Sequence, residues 1–370
     1  MPGNGTFLGS LFTEVELRGL SSFNRDLGMV ERSASATFGN IQAAARTMAM
    51  AFGAIFAGGA AALTGATKQA ADFEAAIQRI RAVSSGSATE LSRVGQLAAE
   101  IGPRMGFSAE TALSAVEELV RGGTSLTDTL NGALNATLQL AAAGRIDLGS
   151  SADLMTDILQ AFNLTAGQST HVVDLLAGAA NSSSTTVEEL TFALRQSMSV
   201  AAVMKLPFDE LVKALGTMAN VSLKGSDAGT SLRTMLLRLN PETEKAKALM
   251  TQLGIITASG ANKFFDAAGN MEDMATVAGV LNKALAGMTS QQRVTALEGM
   301  FGQDAIRAAS AFFEAGAAGV EKFAGEMNKV KAADVATIQL EGLTGQVTKL
   351  RAAIETMMKE FGEPLLKPVT

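Results

Sequence analysis

The 370-residue sequence has no cysteine, no tryptophan, no tyrosine and a single histidine, His171. Without cysteine there is no disulfide, thiolate zinc site, iron–sulfur cluster or thiol nucleophile. One histidine excludes Cys₂His₂, His₃ and HExxH metal sites and leaves little scope for a histidine-based triad. Proline is scarce, at six residues, so few positions forbid a helix. An excess of positive charge is also missing: 30 Lys+Arg against 36 Asp+Glu give −6, and the basic residues form no run. A dedicated nucleic-acid binder needs a clustered cationic footprint to release counterions from phosphates. The charge balance is compatible with a surface that DNA slides past without sticking. No nucleophile, base and oxyanion donor can be assembled from these residues. The absences leave a non-enzymatic helical protein with neither metal nor cofactor.

What the sequence does have is apolar surface. Mean hydropathy is +0.22 with only 18% charged residues. Between Arg46 and Lys68 lie 21 uncharged residues, which as a helix span about 31 Å, close to a bilayer's hydrocarbon thickness. Ala54, Gly58, Ala62 and Ala66 repeat every four residues and form a smooth face for close helix packing. The run is Ala/Gly-rich, so its insertion into a membrane would be marginal. It reads equally as a helix buried in an oligomer and as one shielded during assembly that meets a membrane later.

Upstream, Leu11, Thr13, Val15 and Leu17 alternate with Phe12, Glu14, Glu16 and Arg18, which predicts one short strand. A polar helix follows from Ser21 or Ser22 to about Ser35. From about residue 68 the pattern is helix after helix. Capping pairs recur at Ser87/Glu90, Ser125/Asp128, Ser150/Asp153, Thr186/Glu189 and Thr289/Gln292. In each, a hydroxyl can accept from a first-turn N–H while the acid or Gln reaches back to the cap N–H. Asn240-Pro241 predicts another start. Residues 254–271, from Ile255-Ile256 through Asn270, read as a small β-hairpin. The predicted fold is all-α: a multi-helix bundle core with elongated N- and C-terminal helices, one N-terminal strand and that hairpin near 255–270. The expected parts are 1–36, the apolar helix at 37–69, the core at 70–330 and a C-terminal helix at 331–370.

That last part has the cleanest period. Leu340, Leu343, Val347, Leu350, Ile354, Met357 and Phe361 are spaced 3-4-3-4-3-4, the seam of a coiled coil. The seam serves equally for self-association and for packing on the chain's own bundle. Other conspicuous residues read as ordinary. His171 opens an apolar helix. Glu117-Glu118 and Glu188-Glu189 are adjacent, do not face each other on a helix, and read as solvated acids. Gly225 to Thr230 lacks the spacing of a phosphate cradle and reads as a tight helix–helix corner, with Arg233 available to a carboxylate or carbonyls.

An ordered set of short stretches carries a resemblance. Ala71-Asp72-Phe73-Glu74-Ala75-Ala76 is followed by Gly106-Phe107-Ser108-Ala109-Glu110, Val116-Glu117-Glu118-Leu119, Leu140 to Gly144 and Ala161-Phe162-Asn163-Leu164. The most telling stretch is Lys224-Gly225-Ser226-Asp227-Ala228-Gly229-Thr230-Ser231-Leu232-Arg233-Thr234. Leu253-Gly254-Ile255, Phe265 to Gly269, Phe301-Gly302 and Gly362-Glu363-Pro364-Leu365 complete the order. The chain resembles the core region of phage tail tape measure proteins over about residues 70–365. The resemblance implies a structural role in the tube or baseplate lumen of a phage tail or related contractile injection device, templating its assembly and length. It further implies a homo-oligomer of three or six copies, tube and baseplate subunits as partners, and passage toward the host inner membrane ahead of DNA. Such cores usually continue into a long helical ruler, whereas this sequence ends at Thr370. The alternative is a membrane-active, pore-forming helical protein that measures nothing.

Overall fold

In the computed structural model the backbone is described at residues 59–342, 345–352 and 354–355, and side chains from Lys68 onward within these stretches. The predicted strand at 11–18 and the polar helix after it lie outside the described residues. Contacts divide the chain at Gly65/Ala66, and the unit considered below begins at Ala66.

The helices are α1 (Gly59–Val83), α2 (Ala88–Arg104), α3 (Ala109–Arg121), α4 (Leu134–Gly144), α5 (Leu148–Ala161), α6 (Ser169–Ser182) and α7 (Val187–Val203). They continue as α8 (Phe208–Ala219), α9 (Gly225–Arg238), α10 (Glu244–Gln252), α11 (Met274–Leu285), α12 (Ser290–Met327) and α13 (Ala332–Glu341). A single turn, Leu126–Asp128, and a π-helical turn, Thr129–Ala133, lead into α4.

One local device recurs in five of the connections. The chain leaves a helix through a residue with left-handed backbone, then an apolar residue, then a residue that starts the next helix. Gly106-Phe107-Ser108, Arg145-Ile146-Asp147, Asn163-Leu164-Thr165, Lys205-Leu206-Pro207 and Ser222-Leu223-Lys224 all follow it, with φ between 51° and 81° at the first position. The apolar residue's N–H turns back to a carbonyl of the departing helix: Phe107 to Gly102 at 2.9 Å, Leu164 to Leu159 at 2.8 Å, Leu206 to Ala201 at 3.0 Å and Leu223 to Met218 at 3.1 Å. This satisfies a carbonyl that the helix end would otherwise orphan. Its side chain meanwhile joins or abuts the core. Very short links of this kind keep successive helices in contact.

Four of the predicted caps form, and two helix starts are displaced. Ser87/Glu90, Thr186/Glu189 and Thr289/Gln292 each form the full reciprocal box. Ser125 caps its turn, accepting from the Asp128 N–H at 3.0 Å. Ser150 is not a cap: Asp147 takes that place and accepts from the Ser150 N–H at 2.9 Å. The start predicted at Asn240-Pro241 comes later, at Thr243, which accepts from Ala246 N–H. Leu239 explains the delay. It is fully buried, and its carbonyl is held by the Asn262 side-chain amide at 2.8 Å, so the chain cannot re-enter a helix until it clears that anchor.

The expected hairpin is two consecutive loops, each closed by one antiparallel bridge, Ile256↔Asn262 and Phe265↔Met271. No sheet forms among the described residues. Each loop is tied internally, the first by Thr257 N–H to Ala261 and the second by Asp266 N–H to Asn270. Phe264 between them is driven into the core, where its ring lies 6.4 Å from that of Phe301. Burying that ring outweighs continuing the ladder.

One core cluster runs from Ala76 and Ile80 on α1 to Ala332 on α13. α12 is its centre, contacting α6, α8, α9, α10 and α11. It is not straight: Gly302 (φ 71°, ψ 177°) and Gly316 (φ 59°, ψ −178°) leave helical geometry and divide it into three segments. α13 packs on α4 and α6, and Asp174 of α6 binds both the Ala332 N–H (2.8 Å) and Lys331 Nζ (2.9 Å) at its start. The expected partition at 330/331 therefore falls inside the packed unit.

The C-terminal stretch also differs from one elongated helix. α13 ends at Glu341, and Gly342 takes an extended conformation (φ −65°, ψ 160°). A Cβ on Gly345 would lie 2.6 Å from the Leu340 Cα, so the chain doubles back there before the helical residues 345–352.

Candidate functional site

The stretch Lys224–Thr234 is built around a close crossing of α9 and α7. Lys224 and Gly225 follow the connector out of α8, and Gly225 at φ 64° turns the chain into α9 in open space. Gly229 is different in kind. A Cβ there would lie 2.8 Å from both the carbonyl carbon and the Cα of Ala193, so the two backbones touch directly. Ala228 and Leu232 are buried beside it, and Thr230 and Arg233 are half-buried. The expected tight corner is present. Arg233, however, makes no ion pair among the described residues; the arginine that reaches a carbonyl is Arg238, whose Nη1 donates to Phe301.

The start of the motif is locked to α7 electrostatically. Lys224 Nζ lies 3.1 Å from Glu189 Oε1 and 2.9 Å from the Ser184 carbonyl. Glu189 also closes its own capping box with Thr186 and accepts from the Thr185 hydroxyl at 3.0 Å. Partial burial works against its ionisation, but these bonds and the Lys224 charge outweigh that and hold the carboxyl below its ordinary range.

Two further contacts fasten the motif to α12. The Ser231 hydroxyl, fully buried, donates to the Asp304 carbonyl at 2.7 Å and accepts from the Ala308 N–H at 3.1 Å. Asp304 and Ala308 are four apart, so the hydroxyl stands between two groups that a plain helix would pair. Asp227 meets Arg307 at 2.9 Å on the surface. Sequence reading missed both, because the partners lie 73 to 80 residues away.

Glu117 overturns another expectation. It is 6% exposed rather than solvated, between Arg79 at 2.9 Å and Arg121 at 2.6 Å. Glu118 beside it is partly exposed and only 3.5 Å from Arg121. Glu210 is likewise buried: it accepts from the Met274 N–H at 2.9 Å, satisfying the start of α11, and pairs with Lys213. His171 is exposed on α6. Among the described residues no group of three or more His, Asp or Glu side chains could hold a metal.

The two proposed assembly segments are placed only in part. Ala62 and Ala66 lie on the α1 backbone, whereas Ala54 and Gly58 lie outside the described residues. Among the described residues no helix is long and apolar enough to cross a membrane. In the heptad set, Leu340 is buried on α13, Val347 is 44% exposed, and Leu350 and Ile354 are half-buried. Leu343, Met357 and Phe361 lie outside the described residues. Leu340 and Val347 do not share one continuous helix, since Gly342 intervenes.

Residues 95–302, from within α2 to the first corner of α12, match the family described as phage-related minor tail protein. The chain belongs to that family. Curated relatives point the same way. A tape measure protein of Pneumococcus phage Dp-1 is 29% identical over 303 residues, 80% of this chain and 26% of that protein. A probable tape measure protein of Escherichia phage P2 is 24% identical over 286 residues, 76% of this chain and 34% of that protein. The chain thus spans about a quarter to a third of the length of those relatives. No solved structure matches it. The family match contains the whole Lys224–Thr234 motif with its partners Ser184, Glu189 and Ala193. As a phage tail structural protein, the chain is associated with the virion.

Proposed function

We propose that this chain is the packed assembly core of a tape measure protein, seated in the tube or baseplate lumen of a phage tail. The observation that carries the reading is the alignment of two tape measure relatives across three quarters or more of the chain. The core at α2–α13 presents capped helices and backbone-tight crossings rather than a chemical site, which suits a scaffold. Several copies, three or six, lie side by side, with the seam from the exposed Val347 onward as their contact. Tube and baseplate subunits are the partners during assembly in the host cytoplasm, and DNA is passing cargo. The charge-free 47–67 segment is shielded in the particle and enters the host inner membrane on delivery.

Length measurement is tested by inserting 28 helix-forming residues in frame after Glu355. A continuous helix adds about 1.5 Å per residue, so tails in electron micrographs lengthen by about 42 Å. Tails of unchanged length refute the ruler role. Delivery is tested by Gly58→Asp, which leaves tail yield and length intact and abolishes DNA entry; normal infectivity removes the membrane role.

A further inference from the structure

The 38 residues of α12 contain no proline. Its two corners are not set by glycine alone, because Gly299, Gly319 and Gly325 in the same stretch have no left-handed backbone. At Gly302 and Gly316 something outside the helix holds the break. Arg238 of α9 donates to the Phe301 carbonyl, which a continuous helix would pair with the Ala305 N–H. Asn282 of α11 donates to the Phe313 carbonyl at 2.9 Å, which would otherwise take the Ala317 N–H. Ser231 occupies the Asp304/Ala308 pair between the two corners. Three side chains from neighbouring helices therefore occupy hydrogen-bonding positions that straightening would reclaim.

The third segment, from Ala317, also lacks any Ser, Thr, Asp or Asn at its start; Gly316 and two alanines open it. Most other helices of the core begin at a side-chain cap or a connector; α4 and α13 are the others that do not. A corner without a sequence stop is a corner the sequence can lose.

We propose that α12 is a latent continuous helix, folded in three by the Arg238, Ser231 and Asn282 contacts, and that releasing them joins its segments end to end. The joined rod would be about 57 Å long. The device belongs to the folded core and does not depend on where in the particle the chain sits. Phe301, Phe312 and Phe323 are buried while the helix is folded, so straightening withdraws them from the core and uncovers the faces of α8 and α9.

The absence of native cysteine makes the test direct. Val294→Cys and Glu321→Cys place spin labels on exposed positions of the first and third segments. In a continuous helix these sites are about 40 Å apart, and two corners hold them closer. Gly302→Ala removes a backbone conformation that alanine rarely adopts and pushes its Cβ into Arg238. Combined with Gly316→Ala and Arg238→Ala, it should add a population near 40 Å by pulsed dipolar spectroscopy, with helical circular dichroism retained or increased. Arg238→Ala with Asn282→Ala, which keeps both corner glycines, should give a smaller population at the same distance. The proposal is overturned if neither set yields that distance, or if longer distances appear only with falling helicity. It is also overturned if Gly325→Ala, a helical position with open space around it, lengthens the distance as much as the corner substitutions.

Discussion

Replacing Gly229 with alanine tests the packing account of the family motif more sharply than any charge change. In an exposed helix interior Gly→Ala stabilises by about 1 kcal/mol. At Gly229 the new methyl meets the carbonyl carbon and Cα of Ala193 at 2.8 Å. Those are backbone atoms with no rotamer to yield, so α9 must lift off α7. Two anchors resist that movement, Lys224–Glu189 at one end and Ser231–Asp304/Ala308 at the other. Overpacking a rigid site costs roughly 1–3 kcal/mol, and this geometry belongs at the upper end. Net of helix propensity, Gly229→Ala should destabilise by about 2 kcal/mol, near 3 °C in Tm for a core of this size. Gly325→Ala, with nothing within 4 Å of its Cβ, should instead stabilise by about 0.5–1 kcal/mol. Urea unfolding of both variants against the parent reads the two signs. A second arm isolates the cause: Ala193→Gly should not rescue Gly229→Ala, since the obstruction is main chain. A neutral or stabilising Gly229→Ala, or full rescue by Ala193→Gly, refutes the close-approach argument.

Glu117→Gln should cost about 2 kcal/mol, because it breaks charge-assisted bonds to Arg79 and Arg121 at a buried carboxylate. Its effect in urea unfolding should persist in high salt, unlike that of the exposed Asp227–Arg307 pair. Lys205→Gly should stabilise by about 1 kcal/mol, since Lys205 holds φ 57° at a connector position that Gly106 fills with glycine; a loss of Tm would contradict that. Burial, and then the nearby Asp153, push the Asp157 carboxyl above its ordinary value of 3.8, with Arg195 pulling back. Stability tied to that carboxyl is full below pH 3.8 and lost as pH rises through the folded-state pKa. Asp157→Asn should therefore raise Tm at pH 7 and lose that advantage at pH 3, measured by thermal melts across the range.

The features legible in the sequence were those whose cause lies within four residues. Ser87, Thr186 and Thr289 could be read as caps because each donor and acceptor pair sits in one turn. A tight corner was readable across Gly225 to Thr230, but neither Gly229 as its point of contact nor its partner Ala193. Features with distant causes were not legible. Glu117 looks like any helix acid until Arg79, 38 residues earlier, folds against it. Thr243 displaces Asn240 as a cap because Asn262 holds Leu239 from beyond the next helix. The pattern at 255–270 gives antiparallel bridges in two loops rather than one ladder, with Phe264 between them buried in the core. The heptad stripe from Leu340 has the right period, yet periodicity cannot see that Gly342 and Gly345 let the chain fold back on Leu340.

The family match and the packed unit do not share an end, and the mismatch is informative. The matched region stops at Gly302, where α12 turns its first corner. The core does not stop there. Phe323 from the third segment fills the space above Gly216, against which any Cβ would collide, and the main chain at Met327 lies directly on Gly178. Both glycines are inside the matched region, and both are small because residues beyond it press on them. Asp174, also inside, spends both carboxylate oxygens on Lys331 and Ala332. A fragment ending at Gly302 would thus leave two glycine faces uncovered and an acid without its cation. The shared motif residues are shaped by a folding unit that extends at least to α13, and the segments past Gly302 are part of the scaffold rather than an appendage to it.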